Sequence, residues 1–234
     1  MNEIAVLATT AATVGIVHTL LGPDHYVPFV AMARARQWST ARTAVITAIC
    51  GVGHVLGSVV LGLIGIGLGI AVGHLEGFEA VRGDIAAWML TAFGLAYTVW
   101  GIRRAVRNRP HTHRHVHHDG TEHEHAHDHA SEHLHPHEKS QESITPWILF
   151  TVFLFGPCEP LIPILMYPAA LHDTAAVGIV ATVFALATVG TMLIVVLALN
   201  AGASRLPTRQ LERWTHALAG AAVLACGIAI HLGL

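Results

Sequence analysis

Three residues of "HTLLGPDHYVPF", residues 18–29, could do chemistry: His18, Asp24 and His25. They sit in a run otherwise apolar enough to cross a membrane. A second run, "LFGPCEPLIPI", places Cys158 and Glu159 in the same kind of setting, and "VGHVL" adds His54 between Gly51, Gly53 and Gly57. A charged side chain at the centre of a bilayer costs about 2.5–3.5 kcal/mol, so such groups are kept where they have work to do. Imidazole, thiolate and carboxylate together suit borderline transition metals such as Ni, Co, Zn or Cu, whereas Mg²⁺ and Ca²⁺ prefer oxygen ligands alone. His18, Asp24, His25, His54, Cys158 and Glu159 therefore form one candidate metal-ligand set. In an unbroken helix His18 and His25 would lie about 10 Å apart. They bind one ion only if the chain bends between them, and otherwise are successive stations. Thr191 and Met192 of "VGTML", with His74, His172 and Asp173 in short connections, are auxiliary points on such a path.

Both runs carry the device that would bend them. Gly22-Pro23 and Gly156-Pro157 interrupt a helix, because proline lacks an N–H and clashes with the preceding turn. The freed carbonyls and N–H groups must then be satisfied by protein, water or ligand. With roughly 20 apolar residues per crossing, six spans are expected: 4–33, 44–73, 85–102, 146–171, 175–199 and 217–234. The halves match in order: "GPDH" with "GPCE", "VGHVL" with "VGTML", and Trp88, Gly94, Gly101 and Ile102 with Trp214, Gly220, Gly227 and Ile228. An odd number of spans per half makes the second copy inverted, as in many secondary transporters. The expected fold is an all-α membrane protein of six transmembrane helices in a 3+3 inverted repeat, helices 1 and 4 broken at Gly-Pro. Residues 1–104 form the first repeat, 105–144 a His-rich loop without regular structure, and 145–234 the second repeat.

Composition agrees with a bilayer: 53% of the 234 residues are hydrophobic and 12% charged, about half the charge of a soluble domain. A net charge of −2 leaves no case for nucleic-acid binding. Three cysteines, Cys50, Cys158 and Cys226, all in apolar runs, argue against a disulfide framework. No cleavable leader is evident. Twelve of the thirteen Lys and Arg fall in the connections after spans one, three and five, with only Arg82 on the other side and none inside a span. Asp24 and Glu159 are read as the only acids inside spans. The positive-inside rule then predicts a cytoplasmic-membrane protein with both termini outside. The cytoplasmic third loop holds His111, His113, His115, His117, His118, His123, His125, His127, His129, His133, His135 and His137, a tract that reads as metal-gathering.

"HTLLGPDH", "GVGHVLGS" and the His-rich loop resemble the nickel/cobalt transporters of the NicO type and the UreH-like membrane proteins, over nearly the whole chain. "FGPCEPLIP" is similar to the Pro-Cys motif of the CcdA/DsbD electron carriers, in the wider LysE superfamily. The resemblance implies metal ligation by His18, Asp24, His25 and His54. The function expected is secondary transport of divalent ions (Ni, Co or Zn as cargo, with no prosthetic group), in the direction of efflux, and no enzyme activity. The lipid bilayer and metal ions are its partners, and a homo-oligomer is left open. Two other readings stand beside it: a CcdA-like thiol–disulfide electron carrier, which needs two thiols that can meet although the repeat mate of Cys158 is Asp24, and an exporter of sulfite or organosulfur anions.

Overall fold

A computed structural model describes residues 3–107, 111–116, 122–127, 144–156, 158, 160–203 and 212–233. Helix α1 runs Glu3–Leu21. A 3-10 turn over Pro23–His25 follows, and α2 (Val27–Ala35) restarts the helix with Pro28 in its first turn, where a missing N–H costs nothing. Helix α3 is Thr40–Leu68. Its first turn is capped by the Ser39 hydroxyl, which accepts from the Arg42 amide, and Gly69 ends it in the left-handed conformation (φ 64°). Helices α4 (Val72–Arg107), α5 (Thr145–Phe155), α6 (Leu161–Ala170), α7 (Thr174–Ala203) and α8 (Thr215–His231) complete the bundle. Strands β1 (His111–Val116) and β2 (Glu122–His127) pair antiparallel, His113 opposite His125, inside the loop read as lacking regular structure. Residues 117–121 and 128–143, which carry the remaining loop histidines, lie outside the described residues.

Among the described residues, five helices are long and apolar enough to cross a membrane: α1, α3, α4, α7 and the segment from Glu212 through α8. Helices α5 and α6 are shorter apolar pieces. The outer surface is apolar as well, with Leu186 and Ile194 each 70% exposed on α7. This is an integral membrane protein.

The third long helix departs from expectation. It starts at Val72 rather than Ile85, and so takes in Glu79 and Arg82. Glu79 is fully buried and pairs with Arg82 one turn on. The expectation that neither Lys nor Arg lies in a span, and that Asp24 and Glu159 are the only acids there, is corrected on this point. Charges three residues apart on a helix neutralise one another, but they depress the local hydropathy that marks a span.

Helices α4 and α8 approach closely through four glycines. A Cβ on Gly94 would meet the Leu224 backbone, on Gly101 the Ala217 backbone, on Gly220 the Thr98 backbone and on Gly227 Thr91. Elsewhere, three packed clusters form among the described residues. One is built around Phe29, Met32, Phe153, Met192 and Cys50, a second around Phe184, Leu161, Leu165 and Cys158, and a third around Leu90, Val152, Val223 and Cys226.

Candidate functional site

The 3-10 turn performs the bend that the sequence demanded of His18 and His25. Their ring centroids are 4.7 Å apart, edge to face. His54, on α3, stands 5.0 Å from the His25 ring and stacks nearly parallel to His18 at 6.3 Å. His25 Nε2 lies 3.3 Å from His54 Nε2, and its Nδ1 lies 3.1 Å from the Gly22 carbonyl oxygen and 3.2 Å from Asp24 Oδ1. The His25 side chain is 4% exposed and that of Asp24 29%, so the carboxylate reaches the open side while the ring is walled in. One nitrogen from each of the three histidines falls within 4.8 Å of the others.

Two of these rings lack partners that burial normally demands. His18 Nε2 and His54 Nδ1 are buried without a hydrogen bond, and an unmade bond at a buried polar atom costs roughly 1–3 kcal/mol. The two residues line a cavity of about 760 Å³ together with Gly22, Asp24, His25 and Gly156, among others. The glycines leave the room: a Cβ on Gly22 would sit 2.5 Å from His25 Nδ1, and one on Gly156 3.0 Å from His54 Nδ1. Both interrupted segments thus abut the histidine group, the first at His25 and the second at His54. Ligand nitrogens around one ion, at about 2.0–2.1 Å from it, can be no more than about 4.2 Å apart. Small ring rotations would bring this set to that spacing.

Cys158 lies apart from the cavity. It is fully buried between α3 and α6, packed with Val55, Leu161 and Leu165. Its amide donates to Glu79 Oε2 (3.1 Å) and to Ser58 Oγ (3.3 Å), and the Ser58 hydroxyl donates to the same carboxylate at 3.0 Å. Arg82 Nη2 donates to the Leu154 and Gly156 carbonyl oxygens at 2.9 and 3.4 Å. These are the backbone groups set free where α5 stops, so a buried ion pair from α4 satisfies the interruption between α5 and α6. Neither Glu79 nor Ser58 was singled out from the sequence. An acid three residues before an arginine, flanking an apolar run, was the available signal.

The other sequence candidates fall as follows. Pro157 and Glu159 lie outside the described residues. Met192 is fully buried in the first cluster, with Gly51 packed against its sulfur, and Thr191 beside it is half-buried. His74 and His172 are exposed at helix ends, and the Asp173 carboxylate accepts from the Ala176 amide at 2.9 Å as a helix cap.

Apolar helices packed around a buried group of histidines define a helical membrane protein. No curated protein and no solved structure matches the chain. Residues 26–229 match the family described as the cytochrome c biogenesis protein transmembrane region, and the chain belongs to that family. The resemblance to NicO and UreH-like nickel/cobalt transporters is corrected by this match, and the reading as an effluxing carrier of divalent metal ions goes with it. The matched stretch includes His54, Glu79, Arg82 and Cys158 but begins one residue after His25.

Proposed function

We propose that the chain carries reducing equivalents across the membrane by thiol–disulfide exchange, with Cys158 as the working thiol. Family membership supports this reading, and one observation carries it: Cys158 alone of the three free cysteines stands on non-helical backbone in mid-bundle, while Cys50 and Cys226 are internal to α3 and α8. The exchange balances with one resident thiol. The Cys158 thiolate attacks a partner's disulfide, forming a mixed disulfide and releasing one thiolate. A thiolate of a second, dithiol partner then attacks the Cys158 sulfur and releases the first partner fully reduced. Its other thiolate resolves the new mixed disulfide, restoring Cys158 and leaving the disulfide within the second partner. Because the side chain is fully buried, reaction requires the packing around Cys158 to open. Acid-quench alkylation of expressing cells tests this. A reductant-sensitive adduct should form in wild type, Cys50→Ala and Cys226→Ala and vanish in Cys158→Ala. Cys158 found fully reduced and adduct-free under oxidising and reducing growth alike refutes the reading.

A specific observation favours a second element. The orphaned His18 and His54 nitrogens beside His25 suit a resident transition-metal ion, with Asp24 close enough to complete the set. Protein purified without chelator should then hold one ion per chain, and His54→Ala should hold none. Equal metal content in both removes the centre.

The inverted 3+3 repeat belongs to the same proposal. A shift of 126 residues carries the Gly94–Leu224 approach onto Gly220–Thr98, and Gly101–Ala217 onto Gly227–Thr91. Such reciprocal contacts are what a two-fold relation between halves produces. Arginines stacked on aromatic rings mark one end of the bundle, Arg36, Arg42, Arg104 and Arg213 among them. The positive-inside rule puts that end and the His-rich loop in the cytoplasm, with both termini outside. Reporter fusions at the two termini test this; a cytoplasmic signal from either reverses it.

A further inference from the structure

A second polar cluster lies at the arginine-rich end, where the C-termini of α2 and α4 meet the N-terminus of α8. The Arg36 guanidinium carbon is 5.4 Å from the Tyr97 ring centroid and 5.7 Å from that of Trp100. The Arg104 guanidinium stacks on the same Trp100 ring at 5.5 Å. His216, in the first turn of α8, lies 5.0 Å from Trp100 ring to ring, and its Nδ1 is 2.8 Å from the Tyr97 hydroxyl. Tyr97 is buried, whereas Trp100 is 40% exposed and opens the cluster outward.

Two permanent cations therefore share one indole. Among the described residues the ion pairs are Asp24–His25 and Glu79–Arg82, and neither includes Arg36 or Arg104. Arg36 Nε is buried without a hydrogen-bond partner. Basic residues at helix C-termini commonly offset the negative end of the dipole. That role accounts for one arginine on each helix, but not for two guanidiniums gathered over one ring, nor for a guanidinium nitrogen buried and unused. An anion close to both relieves their repulsion, and guanidiniums grip phosphate oxygens in pairs. The positive end of α8 adds to the same field. The location narrows the source, because tryptophan and tyrosine rings at span ends mark the level of lipid headgroups, and basic pockets between helices take anionic headgroups there.

We propose that Arg36 and Arg104, framed by Tyr97, Trp100 and His216, bind the phosphate of an anionic phospholipid at this end of the bundle. The site is separate from the histidine cavity and from Cys158, so it stands or falls apart from the redox reading.

The test uses the full chain in nanodiscs of phosphatidylcholine, with or without phosphatidylglycerol. Wild type and Arg42→Gln, whose arginine stacks on Trp38 alone, should gain several degrees in Tm from phosphatidylglycerol. The Arg36→Gln/Arg104→Gln double variant should lose that gain. Phosphatidylglycerol retained after delipidation, read by native mass spectrometry, should fall about tenfold in the double variant. Should the double glutamine variant fail to fold, Arg36→Lys/Arg104→Lys keeps the charge, loses the fork, and should retain less lipid than wild type. An undiminished gain in the folded double variant overturns the proposal, as does undiminished retention in the lysine variant. So does an equal gain from inorganic phosphate in phosphatidylcholine discs, which would make the occupant a free anion.

Discussion

Replacing Arg82 by methionine keeps a long flexible side chain but strands the Glu79 carboxylate in the bundle interior. Glu79 is fully buried while the Arg82 side chain is 19% exposed, so the acid depends on the pair more than the base does. Removing one partner of a buried ion pair costs about 3–5 kcal/mol, mostly for the charge left behind. The same change removes the donor to the Leu154 and Gly156 carbonyls, which have no water to turn to in the bilayer. For a chain of this length each kcal/mol moves Tm by about 2–4 °C, so a fall on the order of 10 °C is expected. Glu79→Gln should cost less, because its amide oxygen still accepts from the Cys158 amide and Arg82 keeps the Leu154 and Gly156 carbonyls as partners. The double variant Glu79→Gln/Arg82→Met should recover at least half of the loss. Detergent thermal melts of the three variants give the comparison. Alkylation of Cys158 gives a local readout: weakening the closure by about 3 kcal/mol should speed labelling roughly 100-fold, with Cys50 unaffected. Arg82→Met milder than Glu79→Gln, or no change in labelling, would show that the pair does not hold the interruption closed.

Other outcomes follow from close approaches. Gly94→Ala and Gly220→Ala should each destabilise by about 1–3 kcal/mol through overpacking, because the added methyl meets backbone of the facing helix. Gly190→Ala, with nothing within 4 Å, is the control. Melting curves that rank Gly190→Ala with the other two contradict the packing described. Gly22→Ala should displace the His25 ring, since its methyl would sit 2.5 Å from Nδ1 and 2.8 Å from Asp24 Oδ1; bound metal should fall while Cys158 labelling stays at the wild-type rate. His18→Ala and His25→Ala should each lose metal as His54→Ala does, and a variant that keeps a full ion is no ligand.

Much of this site could be read from the chain because polar residues in apolar runs are few. His18, His25 and His54 stand out by type alone, and glycine-proline pairs announce where a helix must stop. What local pattern cannot supply is which groups answer the interruption. The carbonyls of Leu154 and Gly156 are satisfied by Arg82, more than seventy residues earlier, and that residue reads as a loop cation because its own charge and that of Glu79 shorten the apolar window. Nearness in sequence also misleads in the other direction. Gly156 touches His54, whereas Cys158, two residues on, packs into a separate cluster behind it. A weak repeat match at Met192 suggested a place on a pathway, but its side chain fills the space that Gly51 leaves. Family assignment was the least legible part, since the motif around His18 and His25 ends just before the matched residues begin.

The ion pair on α4 also bears on how the chain is made. Its two charges belong to the first half, while the open backbone they close belongs to the second. During synthesis α4 precedes α5, so Glu79 and Arg82 have each other and Ser58 as company until Leu154 and Cys158 arrive. The later segment meets a ready-made seat and has no comparable stage of its own. A C-terminal fragment expressed alone would lack that seat and should be degraded, whereas the same fragment produced alongside the N-terminal half should be rescued. On that order of synthesis the first half serves as scaffold for the second.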